Sequence, residues 1–166
     1  MIRQFLLCLT LCVVLSVTGC GGKNGSERYF AYCADGFFCE VRGEVDGVAL
    51  RAEVTYVPHG TSAVRYLSPA SLRGLCVEVT DGAARATLNG LAFAADADTL
   101  AGVLRPLTLL TACSREVRTV EKSDGRTALT LADGTRLSLS PKGAPLSVTA
   151  DGVRLEVVAF ATLPPQ

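Results

Sequence analysis

The fold is decided by the stretch FFCEVRGEVDGVALRAEVTY, residues 37–56. Apolar side chains alternate with charged ones up to Asp46-Gly47, as in Cys39, Glu40 and Val41, and the alternation resumes after it. Successive side chains of a strand point to opposite faces of the sheet, and Asp-Gly favours the positive φ angles of tight hairpin turns. The stretch therefore predicts a β-hairpin with one apolar and one polar face.

The same pattern recurs along the chain. The segments that follow residue 56 also alternate, and turn signals separate many of them. Asp-Gly occurs at five further places: Asp35-Gly36, Asp81-Gly82, Asp124-Gly125, Asp133-Gly134 and Asp151-Gly152. Because antiparallel sheets commonly bury one face and solvate the other, the sequence predicts one long antiparallel meander with a single apolar face.

One segment, residues 96–110 (DADTLAGVLRPLTLL), has apolar residues at helical spacing instead. Asp96 and Asp98 stand in its first turn, where the helix dipole favours acidic groups. Pro106 should kink the helix. An apolar sheet face must be covered by another element, and this helix is the long non-strand segment available for that role. The fold class predicted is mostly β (α+β).

The N-terminus has the pattern of a bacterial lipoprotein signal. A short basic start precedes an apolar run over residues 5–17, and small residues stand immediately before Cys20. The run is too short for a comfortable transmembrane helix, which needs about 20 residues. We expect residues 1–19 to be a cleaved signal peptide. Cys20 resembles the lipobox cysteine that carries the lipid anchor; the alternative is an ordinary secretory signal that ends at a cysteine.

This interpretation divides the chain into three parts: a signal peptide (1–19), the lipidated cysteine with a flexible tether (20–28), and one domain (29–163). The seven tether residues 21–27 reach about 15 Å. The expected location is the extracytoplasmic face of a cell membrane, with Cys20 as the link to lipid.

The net charge and the search for catalytic motifs exclude several classes of function. The chain has 16 basic and 16 acidic residues, and loss of Arg3 with the leader leaves a net charge of −1. This balance argues against a nucleic-acid partner. No nucleophile elbow, zinc motif or phosphate loop occurs. His59, the single histidine, is interpreted as an exposed turn residue; the alternative is a general base or a metal ligand. Asp96 and Asp98 are interpreted as acids at the start of the helix; the alternative is a catalytic carboxylate pair. We expect neither an enzyme nor a cofactor.

Four cysteines follow Cys20, namely Cys33, Cys39, Cys76 and Cys113. Outside the cytoplasm they could pair in three ways, or they could remain small buried thiols. Their spacing, with one histidine, does not suit a structural zinc site. The sequence leaves the pairing open.

Four stretches together carry a family resemblance: residues 37–45, 50–57, 66–75 (YLSPASLRGL) and 88–93 (LNGLAF). They resemble the lipoprotein-localisation-factor (LolA-type) superfamily, over about residues 31–161. The resemblance implies a strongly curved antiparallel sheet, a half-barrel, with helical cover on its apolar concave face. It also implies handling of lipids or lipoproteins, although a tethered chain differs from the soluble shuttles of that superfamily.

The apolar face is the candidate site. It forms either a fully packed hydrophobic core or a cavity for an acyl chain. Small residues on or near this face could make room for a ligand: Ala52, Ala84, Ala86, Ala92 and Ala94. We predict a membrane-anchored, non-enzymatic protein that binds a lipid or acyl chain; the alternative is a cell-envelope scaffold or protein-binding module with a solid core. The candidate residues are Phe37, Val41, Leu50, Val54, Tyr56, Leu75, Val77, Val79, Leu100, Leu104 and Leu107.

Overall fold

The computed structural model describes residues 27–164, so the predicted signal peptide and Cys20 lie outside the described residues. The described chain forms one open sheet of eleven antiparallel strands. Their bounds are β1 Phe37–Val45, β2 Val48–Tyr56, β3 Ser62–Ser68, β4 Cys76–Thr80, β5 Ala83–Leu88, β6 Leu91–Asp96, β7 Val117–Ser123, β8 Arg126–Leu131, β9 Arg136–Leu139, β10 Pro145–Ala150 and β11 Val153–Thr162.

The sheet consists of two meanders joined side by side. The strand order is β6-β5-β4-β3-β2-β1-β11-β10-β9-β8-β7, so β1 pairs with β11 in the middle of the sheet. The sequence predicts a single meander because hairpin signals report only neighbours along the chain. The long-range pairing of β1 with β11 carries no such local signal.

Tight turns connect most neighbouring strands, as the Asp-Gly pairs predict. Asp46-Gly47, Asp81-Gly82 and Asp124-Gly125 have positive φ at both residues, which is the conformation that type I′ hairpin turns require. Asn89-Gly90 adopts the same conformation between β5 and β6. Asp35-Gly36 differs, because it leads into β1 rather than joining two strands.

The helical segment connects the two outermost strands of the sheet, β6 and β7. It consists of a 3-10 turn, Ala97–Leu100, followed by α1, Ala101–Leu110, and a second short 3-10 helix, Ala112–Ser114. Pro106 lies inside α1. Because the segment runs from one edge of an open sheet to the other, it crosses the apolar face, and α1 packs against β2, β3 and β10. This confirms the predicted mostly-β fold with a covering helix.

A further 3-10 helix, Glu27–Cys33, precedes β1 and packs against Ala112–Ser114. Within residues 27–164, none of the helices is long and apolar enough to span a bilayer.

Candidate hydrophobic ligand site

The strand register defines one apolar surface, which we call the inner face. Residues directly opposite each other in an antiparallel pair project to the same side of the sheet. Phe37 is opposite Tyr56, and Val77 is opposite Ala86. Ala86 is in turn opposite Phe93 on the edge strand β6. The inner face therefore continues from the central strands to the edge of the sheet.

The structure places all eleven candidate residues on the inner face or on the helix that covers it. Three are partly buried and pack against the core: Tyr56, Val79 and Leu100. The other eight are buried: Phe37, Val41, Leu50, Val54, Leu75, Val77, Leu104 and Leu107. The central part of the inner face is thus packed core, and its exposed apolar side chains lie towards the edges of the sheet.

Three polar contacts hold the helix over the centre of the sheet. The Tyr66 hydroxyl donates to the carbonyl oxygen of Val103 at 2.8 Å, and the Tyr32 hydroxyl donates to that of Leu110 at 2.7 Å. Burial raises the pKa of Tyr66 to about 12, and it raises the pKa of Tyr32 as well. Both phenols therefore remain protonated at physiological pH and keep their role as donors.

Arg105, in the middle of α1, makes the third contact. Its guanidinium binds both carboxylate oxygens of Asp46, at 2.9 and 2.8 Å, and donates to the carbonyl oxygen of Asp151 at 2.7 Å. Asp46 lies in the β1–β2 turn and Asp151 in the β10–β11 turn. One side chain thus connects the helix to a turn of each meander.

The inner face is less covered at its two edges. Leu91 and Phe93 on β6 are 76% and 51% exposed, and Val120 on β7 is 40% exposed. Leu91 lies opposite Leu88, which is itself partly buried. Leu88, Leu91 and Phe93 form a contiguous apolar surface, which we call the edge patch. Large apolar side chains clustered at the surface are typical of binding sites.

Sequence reasoning missed the edge patch and misplaced two of its neighbours. Ala52, Ala84 and Ala86 are buried on the inner face. The prediction for Ala92 and Ala94 is wrong: they lie opposite Thr87 and Arg85, on the outer face. Residues 91–95 (LAFAA) are apolar on both faces, so their alternation carries no signal. The Asn89-Gly90 turn could have indicated the register, because a two-residue hairpin turn fixes which residues face each other.

Aromatic rings close the end of the inner face where β1 begins. Phe37 lies 5.6 Å, centroid to centroid, from each of Tyr32, Tyr56 and Phe160. Phe30 lies 6.3 Å from Tyr32. Such tilted arrangements are favourable for aromatic pairs. The cluster fixes the N-terminal 3-10 helix against this end of the sheet.

The structure places the alternative catalytic residues in turns and at the end of a strand. His59 is exposed in the turn between β2 and β3, with φ of 56°. Asp96 ends β6 and Asp98 lies in the next 3-10 turn. Among residues 27–164, no three His, Cys, Asp or Glu side chains are grouped so that they could hold a metal ion.

Comparison with known proteins gives matches to solved structures. No family model and no curated protein matches the chain. An uncharacterized conserved protein from Thermus thermophilus is 16% identical, with a TM-score of 0.56 over 84% of this chain and 86% of that one. This likeness shows the fold.

Two further solved structures are similar to this chain. MucB is 18% identical, covering 87% of this chain and 61% of its own, with a TM-score of 0.48. The LolA superfamily protein NE2245 from Nitrosomonas europaea is 13% identical, covering 78% of this chain and 74% of its own, with a TM-score of 0.36.

Proposed function

We propose that this protein is a membrane-anchored bacterial lipoprotein that binds a lipid or acyl chain on its inner face and catalyses no reaction. The observation that carries the proposal is the edge patch. It extends the buried apolar surface of the sheet to a place where Leu91 and Phe93 remain largely exposed. Ligand sites for apolar molecules are mostly apolar and concave.

The position of the helix supports the same proposal. α1 packs on β2, β3 and β10, whereas the one-turn 3-10 helix Ala97–Leu100 is the segment that contacts β5 and β6. An acyl chain that lies along the edge patch would cover Leu91 and Phe93 without displacing α1. Each buried methylene contributes about 0.8 kcal/mol, so a chain of several methylenes binds measurably.

The predicted anchor would place the domain close to its ligand. Glu27 begins the first 3-10 helix, so residues 21–26 of the predicted tether would join Cys20 to the domain, with a reach of about 14 Å. A lipidated Cys20 would therefore hold the domain beside the bilayer, where lipids are the most abundant apolar molecules.

A second candidate is a cell-envelope module with a solid core that binds no lipid. The burial of eight of the eleven candidate residues favours it. The two candidates differ in whether the edge patch takes up a lipid.

The experiment is a titration of the purified protein with a fluorescent fatty-acid analogue, together with native mass spectrometry for co-purified lipid. We expect Phe93→Asp to weaken binding at least about tenfold, because it removes apolar contact area and places a charge against the acyl chain. Ala94→Asp is the matched control: it adds the same charge to the same strand on the outer face, and it should change the affinity less than about twofold.

Circular dichroism should show the same fold for both variants. If the unchanged protein neither carries lipid nor takes up the analogue, the lipid-binding proposal is wrong and the solid-core module is favoured. Equal weakening by the two aspartates would place the lipid elsewhere than the edge patch.

A further inference from the structure

Two short helical segments that are distant in the chain are packed together beside the aromatic cluster. The 3-10 helix Glu27–Cys33 contacts Ala112–Ser114, which follows α1. The carbonyl oxygen of Leu110 accepts hydrogen bonds from the Tyr32 hydroxyl at 2.7 Å and from the Cys33 thiol at 3.9 Å. Cys33 therefore faces the chain segment that carries Cys113.

The packing of these two segments brings the thiols of Cys33 and Cys113 near each other. Burial raises the pKa of Cys33 to about 12, and the nearby Cys113 thiol contributes to that rise. Cys39 is different, since burial alone raises its pKa to about 12. Cys76 lies on the outer face, because its neighbour Val77 is buried on the inner one. Among the four described cysteines, Cys33 and Cys113 are the pair that the fold brings together.

We propose that Cys33 and Cys113 form a disulfide bond that fastens the N-terminal 3-10 helix to the end of the covering helix. All four described cysteines are present as free thiols, so the bond requires an oxidant. We assign that role to a low-molecular-weight disulfide or a protein disulfide of the extracytoplasmic compartment, where such bonds persist.

The reaction is two successive thiol–disulfide exchanges. The exposed Cys113 reacts first: its thiolate attacks the oxidant, forms a mixed disulfide and releases one thiol. The Cys33 thiolate then attacks Cys113 Sγ, which forms the protein disulfide and releases the second thiol. The protein loses two electrons and two protons, and the oxidant gains both.

The raised pKa of Cys33 makes the second exchange the slow one, because the thiolate is the nucleophile. The rate of bond formation should therefore increase with pH from about 7 to about 9. The bond closes a long loop between residues 33 and 113. Closing a long loop disfavours the unfolded chain, so the oxidised protein should unfold about 5–10 °C higher than the reduced one.

The experiment uses the full-length protein, purified, reduced and then exposed to oxidised glutathione at about pH 8, where more of the thiol is ionised. Remaining thiols are alkylated before digestion with trypsin under non-reducing conditions. Cleavage after arginine gives the peptides 29–42, with Cys33 and Cys39, and 86–115, with Cys113, since Pro106 blocks cleavage after Arg105. We expect these two peptides to be linked, and peptide 74–85 to carry an alkylated Cys76.

A second digestion before Asp35 separates Cys33 from Cys39 and identifies the partner of Cys113. Cys113→Ser should abolish both the linked peptide and the rise in the unfolding temperature. Cys76→Ser, the matched control, should change neither.

A link from Cys113 to Cys39, or a folded protein whose Cys33 and Cys113 are both still alkylated after oxidation, would overturn the proposal. Because the experiment supplies the oxidant, its result does not depend on the location or on lipid binding. A failure here is therefore distinguishable from a failure of the proposed function.

Discussion

Gly43 lies on the inner face of β1, opposite Leu155 of β11, in the pairing that joins the two meanders. Its φ is 155°, and a Cβ atom at this position would overlap the backbone carbonyl oxygen of Arg154. A side chain here must therefore push β1 and β11 apart or change the backbone conformation. Glycine is required by the close approach of two strands, and not by a turn.

We predict that Gly43→Ala lowers the free energy of unfolding by at least about 2 kcal/mol, because it combines an unfavourable φ with a backbone overlap. Urea denaturation measures the change. Gly102→Ala is the control: nothing lies within 4 Å of the added Cβ, and replacing glycine within α1 should stabilise by about 0.5–1 kcal/mol. Unchanged stability in Gly43→Ala would contradict the close pairing of β1 and β11.

At the scale of single residues, the sequence predicts which side chains are buried wherever apolar and charged residues alternate strictly. In residues 37–56 charged side chains mark one face, so the buried positions of β1 and β2 follow directly. Residues 91–95 offer no charged side chain to mark a face. A one-residue change of register exchanges the two faces of a strand. The sequence alone therefore does not place Phe93 on the inner face or Ala92 on the outer one.

At the scale of elements, polar contacts from the middle and the C-terminal end of the covering helix hold it on the sheet. Tyr32 binds the carbonyl of Leu110 at the C-terminal end, and Arg105 binds the turns that hold Asp46 and Asp151. The backbone N–H of Asp46 also donates to the carbonyl oxygen of Gly152 at 2.7 Å. The helix and one turn from each meander thus meet at a single place.

We predict that Arg105→Ala destabilises the protein by about 1–2 kcal/mol, because hydrogen bonds from a charged, partly buried donor contribute more than exposed ion pairs. Arg42→Ala is the matched control. It removes an exposed ion pair with Glu156 at 3.0 Å, for which a loss of about 0.5 kcal/mol is expected.

Hydrogen exchange provides the measurement that separates a local from a global effect. The amides of α1 should exchange faster in Arg105→Ala, while those of β1 and β11 should follow the change in overall stability. Equal effects of Arg105→Ala and Arg42→Ala would show that Arg105 does not hold the helix.

The helix itself was predictable from its spacing, but the pairing of β1 with β11 was not. Hairpins are encoded by neighbouring residues and their turns, whereas β1 and β11 are separated by more than a hundred residues. What brings them together is burial of the central part of the inner face, a property that no short stretch of sequence carries.

At the scale of the whole molecule, the N-terminal 3-10 helix places the start of the described chain beside the aromatic end of the inner face. If Cys20 is lipidated, this end of the domain faces the membrane, because the tether is short. The β5–β6 turn beside Leu88 and Leu91 lies at the opposite end of the strands from Phe37, so an acyl chain bound at the edge patch would have to leave the bilayer surface.

Anchoring and lipid binding are separable properties, because Cys20 would carry the first and the edge patch the second. We predict that Cys20→Ala loses radiolabelled fatty acid in cells and leaves the membrane fraction, because a thioether anchor needs the cysteine sulfur. Cys76→Ala, the control, should keep both the label and the membrane fraction. Persistent labelling of Cys20→Ala would contradict the anchor.

Phe93→Asp and Cys20→Ala test lipid binding and membrane anchoring independently. Phe93→Asp should remain in the membrane fraction and lose affinity for the fluorescent fatty acid, whereas any folded Cys20→Ala protein that is recovered should bind the analogue as tightly as the unchanged domain. An anchored chain contributes to uptake by raising the local concentration of lipid, and not by forming the site. If released Cys20→Ala protein no longer bound the analogue, the lipid seen on the unchanged protein would be its own anchor rather than a ligand of the inner face.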